Sequence, residues 1–340
     1  MIVPEAHSAG ARLAGAVPTA SSSHGALTPT TIRQAMGSTT GTPTVSVVIP
    51  TIGRWPLLER AVRGIHLQRG VRVQVIVSLD GVEPDAGAAG FLTRDDVTFR
   101  ASPTRRGQAA TRNAGIEAAE GDWVAFLDDD DLWGPEKLAG QVAAASAAGA
   151  DYAYGSAMIV DDELRPLALD VAPPEDDLAR DMLEHNPIPA CASNLLVRRD
   201  LAAELRFDTE LSHFSDWDFA VRTIAAGSGA ARRDVQVAYV HHAASMHLGM
   251  LDGAERELAS LRAKHRALGR EIRELETVRW MGAGYRRSGR RGRAAGVYLR
   301  AAVRSRSAPE LARAGAALLG LEPRRRPSPP AAPDWLGLYR

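Results

Sequence analysis

The chain has 340 residues, 45% of them apolar, with 41 basic and 41 acidic side chains and one cysteine, Cys191. This is enough apolar material for one large domain or two smaller ones, and a net charge of zero supplies no global field for nucleic acid, which is not expected as a partner. One thiol closes no internal disulfide, and no apolar run approaches the length of about 20 residues needed to span a bilayer.

Residues 1–43 are rich in Ala, Ser, Thr, Gly and Pro and poor in large apolar side chains. Such a segment buries too little surface to offset its ordering entropy, so a disordered tail is predicted. Glu5, His7 and Arg12 interrupt its start, and no secretory leader is read there. A cytoplasmic protein is expected, with peripheral attachment at the inner membrane face as a variant.

Order is predicted to begin at TVSVVIPT, where Val45, Val47, Val48 and Ile49 make a buried strand closed by Pro50. In WPLLERAVRGIHLQRG, the residues Leu57, Leu58, Ala61, Val62 and Ile65 share one helical face; Pro56 suits the first turn and Gly70 the exit. VRVQVIVSLDG gives a second strand ending in Asp80, VTFRAS a third and GQAATRNAGIEAAEGD a helix. WVAFLD gives a fourth strand and GPEKLAGQVAAASAAGA another helix. Alternation of this kind implies an α/β domain with a largely parallel sheet, placed at residues 44–250.

After residue 150 the alternation loosens. DYAYGSAMIVDDE, ASNLLVRR and VQVAYVHH read as strands, DWDFAVRTIAAG as a short helix, and residues 162–187 as a long loop of prolines and acids. Residues 251–320 read as a helical extension. Within it AERELASLRAKHRALGREIRELETVRWM forms one charged amphipathic helix, followed by helices at RAAGVYLRAAVRS and APELARAGAALLG. Residues 321–340 are expected to be an unstructured tail. Lysine occurs only at Lys137 and Lys264, so the arginines of GYRRSGRRGRAAGVYLRAAVRSR reflect in part a bias of the whole chain. A solvated face is favoured for that segment, with weak contact to an anionic membrane surface as the alternative.

The functional signal lies in the polar residues that follow strands: Thr51 and Arg54, Asp80, and Asp128 to Asp131. The carboxyl ends of parallel strands form the ligand crevice of such a sheet. Four adjacent carboxylates repel one another. They make either a solvated acidic turn or an oxygen-rich site for Mg²⁺ or Mn²⁺, which needs one or two protein carboxylates beside substrate phosphates. An extended backbone puts Asp128 and Asp130 on one side, an Asp-x-Asp pattern. Cys191, in PACASN, has no base near it in sequence and reads as a small buried hydrophobe.

Four segments, VSVVIPTIGRWPLLERAV, VIVSLDG, RRGQAATRNAGIEAAEGDWVAFLDDDDLWGPEKL and FDTELSHFSDWDFAVR, lie in this order within the stretch from Val45 to His247. Together they resemble glycosyltransferase family 2, the inverting enzymes of the GT-A fold. The resemblance implies a mixed, mostly parallel sheet flanked by helices, here with a C-terminal helical extension. It implies transfer of a sugar from a nucleotide-diphosphate donor, UDP first, to a hydroxyl of a glycan, lipid-linked or small-molecule acceptor. It implies nucleotide contacts from Pro50, Thr51, Arg54, Asp80 and Arg112 with Asn113 beside it, Asp128 toward the ribose and Asp129 in support. It implies a divalent metal, Mn²⁺ or Mg²⁺, on Asp130 and His242, with His241 and His247 as runners-up, and Asp216 as general base. Gly53 stands where the family pattern has Asn, Leu79 where it often has an acid, and Ser215 where it has Glu.

Plainer roles compete with these. Asp80 can cap the turn at Gly81, Arg112 can lie on a helix surface, Asp216 can cap its helix, and His242 can be structural. Asp218 is expected to pair with Arg222 at i,i+4, and Trp217 to pack. Two other functions are weighed: a sugar-1-phosphate nucleotidyltransferase, for which PTIGRWP is a poor phosphate loop, and an inactive sugar-nucleotide-binding scaffold, which Ser215 permits.

Overall fold

The computed structural model describes residues 41–84, 97–242, 251–272, 275–321 and 330–339, without the side chains of Asp252 and Glu276. Residues 1–40 of the predicted tail and His247 lie outside the described residues. In chain order the elements are β1 (Thr44–Thr51), α1 (Trp55–His66), β2 (Arg72–Asp80), β3 (Val97–Ser102), α2 (Gln108–Glu117), β4 (Trp123–Phe126), β5 (Leu132–Trp133) and α3 (Lys137–Ala148). Then follow β6 (Tyr152–Val160), β7 (Pro166–Asp170), α4 (Glu175–Asp181), a 3₁₀ turn (Cys191–Asn194), β8 (Leu196–Arg198), α5 (Arg199–Leu205), α6 (Ser215–Ala226) and β9 (Gly229–Val240). The chain closes with α7 (Leu251–Ala267), α8 (Leu275–Arg287), α9 (Arg291–Ser305), α10 (Ala308–Leu319) and a second 3₁₀ turn (Asp334–Tyr339).

The strands form one mixed sheet in the order β3-β2-β1-β4-β8-β6-β9-β5, with β7 on β6. β1 runs parallel to β2 and β4, β2 to β3, and β6 to β9, whereas β8 is antiparallel to both its neighbours. Side-chain alternation along the central strands sorts the core into two layers. Val45, Val47, Ile49, Val75 and Val77 pack with Leu58, Val62 and Ile65 of α1 and with Leu138 and Val142 of α3. Val48, Ile76, Val124 and Phe126 face the other way, onto Ala109 and Ile116 of α2 and Phe219 of α6. Each such aliphatic side chain contributes about 1.5–3 kcal/mol on burial. Leu258, Leu261, Met281 and Tyr285 of the C-terminal helices join this second layer.

Three expectations are corrected. Residues 162–187 are not one loop: Leu178 and Met182 are buried anchors within the acidic stretch. Glu175, Asp176 and Asp177 sit in the first turn of α4, where negative charge suits the helix dipole. The helix expected over residues 254–281 is two helices. Gly269, at φ +73°, ends α7, and the N–H groups of Gly269 and Arg270 return to the carbonyls of Arg266 and His265 at 3.0 and 2.8 Å. The final segment is not an unstructured tail over its whole length. Leu336 and Tyr339 are buried against Leu132, Met158, Val160 and Ala238. Trp335 Nε1 donates to the Val235 carbonyl at 2.9 Å, and the Tyr339 hydroxyl donates to the Trp133 carbonyl. Trp335, Leu336 and Tyr339 thereby cover β5, the strand at this end of the sheet.

This docking predicts that Leu336→Ala lowers unfolding stability by about 2–4 kcal/mol in urea melts, as for a fully buried leucine. A loss below about 0.5 kcal/mol, the level of a surface substitution, would mean that the segment does not hold to the sheet.

Candidate active site

The four aspartates follow β4 and β5 follows them, so the acidic run lies at the carboxyl end of the parallel strands. Their partners come from several elements. Asp128 Oδ1 accepts from Arg112 Nη2 at 2.6 Å and from Gln108 Nε2 at 3.2 Å, both on α2. Asp129, buried, accepts from the Thr51 hydroxyl and from the Arg54 guanidinium, which it binds through both oxygens. Asp130 accepts from Arg54 Nη1 at 2.6 Å. Asp131, fully buried, accepts from the Val240 N–H at 3.1 Å at the end of β9. Burial pushes the Asp129 carboxyl up to about 6, against the pull of Arg54 and Thr51. Burial, with Asp130 and Asp128 nearby, pushes Asp131 well above the usual carboxylate range.

Local conformation explains the Arg54 geometry. Thr51 Oγ1 accepts the Gly53 N–H at 3.1 Å, and Gly53 adopts φ +91°. That left-handed region favours Gly first and Asn next, so glycine in place of asparagine keeps the loop's shape. Pro50 is buried within β1. Arg112 is not on a helix surface: it is 1% exposed, beneath Asp128 and 5.2 Å from the Phe207 ring centre. Asn113 turns away from the acids, exchanging hydrogen bonds with the Phe207 backbone at 2.8 and 2.9 Å. Asp80 accepts the backbone N–H groups of Arg106 and Gly107 at 2.6 and 3.1 Å, which fixes the approach to α2.

His242, just past β9, faces the same acids. Its Nε2 lies 3.6 Å from Asp130 Oδ2, and its Nδ1 is bound by Asp162. Nε2 is buried with no hydrogen-bond partner. A carboxylate on Nδ1 sets the tautomer that leaves Nε2 as a lone pair, the arrangement common behind metal-bound imidazoles. No cluster of three or more His, Cys, Asp or Glu able to hold a metal occurs among the described residues. Asp130 and His242 nevertheless fit a hard divalent cation that draws its other ligands from diphosphate and water. The four carboxylates also exceed the two guanidinium groups of Arg54 and Arg112 paired with them.

Asp216 lies in the first turn of α6, where the helix dipole favours its negative charge. Its Oδ1 accepts the Trp217 N–H at 2.7 Å, and the Cys191 thiol lies within electrostatic reach of its carboxylate. The 3₁₀ turn that holds Cys191 also reaches the acidic run, where the Asp128 N–H donates to Ser193 Oγ at 3.1 Å. Burial, then Asp216, push the thiol well above its ordinary range, which leaves it protonated as a donor. Asp170, at the end of β7, acts on the same thiol; burial pushes its carboxyl up to about 6.

The start of α6 is fixed from outside the sheet. Glu257 of α7 accepts the N–H groups of His213 and Phe214 at 2.6 and 2.7 Å, His213 Nδ1 at 2.8 Å and the Ser212 hydroxyl at 2.8 Å. One turn on, Asp218 is completely buried and bound by Arg222, Lys264 and His265 at 2.7–3.0 Å. Burial alone would raise its carboxyl; His265, Arg222 and Lys264 outweigh it and hold it down at about 2. The expected Asp218–Arg222 pair is present, and Trp217 packs, its indole N–H on the Met182 carbonyl at 2.7 Å. Sequence reasoning missed Asp162, Asp170 and Glu257 and set Cys191 aside for want of a base nearby in sequence. Its partner Asp216 is near only in space.

Residues 46–206 match the family model described as glycosyl transferase family 2. The succinoglycan biosynthesis protein ExoO of Rhizobium meliloti (strain 1021) is 31% identical over 218 residues, 59% of this chain and 61% of that protein. The chain thus spans less than two thirds of that curated relative. Two solved structures share the fold. S. aureus TarS 1-349 in complex with UDP-GlcNAc has a TM-score of 0.56 at 16% identity, covering 82% of each chain. The mannosyltransferase PcManGT from Pyrobaculum calidifontis, in complex with GDP-Man and Mn²⁺, has a TM-score of 0.50 at 18% identity, covering 83% of this chain and 86% of that one.

Replacing Glu257 by Gln removes the charged acceptor of two backbone donors before α6. Hydrogen bonds to a charged group are each worth about 1.5–3 kcal/mol, so the variant is expected to lose about 2 kcal/mol of stability in denaturant melts. An unchanged midpoint would show that α7 does not hold the start of α6.

Proposed function

Since residues 46–206 belong to glycosyltransferase family 2, we propose that the protein transfers a sugar from a nucleotide-diphosphate donor, UDP first, to an acceptor hydroxyl with inversion at the anomeric carbon. The observation that carries this reading is that the 3₁₀ turn Cys191–Asn194 touches the acidic run, the Asp128 N–H donating to Ser193 Oγ at 3.1 Å, while Cys191 of that turn lies within electrostatic reach of Asp216. Binding of UDP-GlcNAc by TarS and of GDP-Man with Mn²⁺ by PcManGT supports the choice of donor class.

In this reading Asp128, oriented by Arg112 and Gln108, accepts ribose hydroxyls. Arg54 stands beside Asp130 and offers its guanidinium to the diphosphate. Asp130 and His242 would hold a divalent cation, which when bound would neutralise charge on the departing nucleoside diphosphate. Asp216 takes the proton of the acceptor hydroxyl as that oxygen bonds to the anomeric carbon and the bond to the diphosphate breaks on the opposite face. The Trp217 N–H fixes one oxygen of the Asp216 carboxylate for that transfer. Asp80 keeps free lone pairs for a nucleobase N–H beside its two backbone bonds.

With Asp216→Asn, transfer from a UDP-sugar should fall about 10²–10⁴-fold, the usual worth of a general base. Nucleotide-induced thermal stabilisation should remain. Transfer at the wild-type rate would remove Asp216 from this role. A separate measurement concerns the cation. Asp162→Asn should weaken the Mn²⁺-dependent part of UDP binding about 10–100-fold in calorimetric titrations, as expected for the partner behind a ligating histidine. Equal Mn²⁺ dependence in both proteins would take His242 out of the site.

A further inference from the structure

Far from the acidic run in sequence, residues 277–321 carry ten arginines against one carboxylate, Glu310. Glu310 is itself fully buried and bound by Arg279 and Arg313. The segment's exposed charge is therefore of one sign.

Its exposed apolar surface is equally one-sided. α9 and α10 form a hairpin, and α10 turns Glu310, Ala314 and Ala317 inward. Leu311, Leu318 and Leu319 are 57%, 59% and 73% exposed, and Leu321 just beyond is 55% exposed. Only Ala and Gly lie between them on that side of α10. On α9, Val303 is 72% exposed and Leu299 47%. Scattered surface leucines are ordinary, but an uncharged helix face carrying this many marks an interaction site.

Arginines border this face. Arg286 donates to the Leu321 carbonyl at 3.3 Å. The Arg291 guanidinium lies against Gly320, with Cζ 2.6 Å from where a Cβ there would stand. Exposed Arg304 and Arg306 flank the turn into α10. No helix among the described residues is long and apolar enough to cross a membrane.

We infer that the outer face of the α9–α10 hairpin docks on an anionic lipid bilayer, its leucines and Val303 in the headgroup–acyl boundary and its arginines on lipid phosphates. An apolar stripe bordered by cations, with no exposed carboxylate of α9 or α10 and with Glu255 of α7 paired to Arg300, complements a surface that is apolar within and anionic at its edge. A second copy of the chain complements it poorly, because a two-fold contact would set the arginine rims of both copies against one another. The composition bias that favours a solvated reading of these arginines does not account for the bare leucine face beside them. Docking does not depend on the proposed catalytic chemistry, and its test reads binding alone.

The test is co-sedimentation of the full chain with phosphatidylcholine vesicles, with and without phosphatidylglycerol, at low and high salt. The expected result is sedimentation with anionic vesicles at low salt, little with neutral ones, and release by salt. Arg291→Gln with Arg304→Gln should lower partitioning about 30-fold, from about fivefold per arginine. Leu318→Glu with Leu319→Glu should lower it at least about tenfold. Both pairs are exposed, and an unchanged thermal melt confirms that the variants fold. Absence of sedimentation with anionic vesicles at low salt overturns the proposal, as does full binding by the leucine variant. A dimer in light scattering that the leucine variant dissociates, without vesicle binding, overturns it in favour of self-association.

Discussion

Four consecutive carboxylates at the mouth of a sheet cannot all be left to water or to one another. Removing one partner of a buried ion pair costs about 3–5 kcal/mol, because the remaining charge has nowhere to go. Here the cost is avoided by distributing partners over the fold. Asp128 is held by α2 and the 3₁₀ turn, Asp129 by the loop after β1, Asp130 by Arg54 with His242 nearby, and Asp131 by the end of β9. The run therefore joins elements that are otherwise connected only through the sheet. What sets the geometry of the pocket is the need to neutralise these acids.

The same need extends the site beyond the sheet. Asp216 is placed by α6, and α6 is fixed at its start by Glu257 and one turn later by Lys264 and His265, all from α7. The C-terminal helices are thus a support of the base candidate. Tyr285 of α8 in turn donates to the Leu251 carbonyl at 3.0 Å, which fixes the first residue of α7. A change in α8 can reach Asp216 through two contacts without touching the cleft.

How much of this was legible in the sequence follows from which forces are local. The β-α pattern through residue 150, the strand-end polar residues and the i,i+4 pair of Asp218 with Arg222 all rest on periodicity or short spacing, and they are found where expected. The break at Gly269 also had a local signal, a glycine inside a helical pattern, but the charged amphipathic repeat on either side masked it. Other features rest on partners distant in sequence. The competing reading of Arg112 as a helix-surface residue holds only until Asp128 and Phe207 close over it, and DWLGLY reads as a tail until the end of the sheet offers it a surface. Asp162 behind His242 is separated from it by 80 residues, and only the β6–β9 ladder brings them together.

The departures from the family pattern can be weighed by the same electrostatics. Gly53 adopts a positive φ, a region that asparagine tolerates better than most residues. Ser215 has a different logic. It is buried, directly before Asp216, on the side of the cleft where Cys191 already lies within reach of Asp216, Asp128 and Asp170. A glutamate at residue 215 would add a carboxylate to that group, and the cations that neutralise the acidic run, Arg54 and Arg112, are already engaged there. Burial also keeps the Asp170 carboxyl up to about 6, with no side-chain partner for it among the described residues. Where a buried charge has no partner, proteins shift its proton affinity or omit the charge. Serine at residue 215 is the second solution, adopted beside an Asp170 that shows the first.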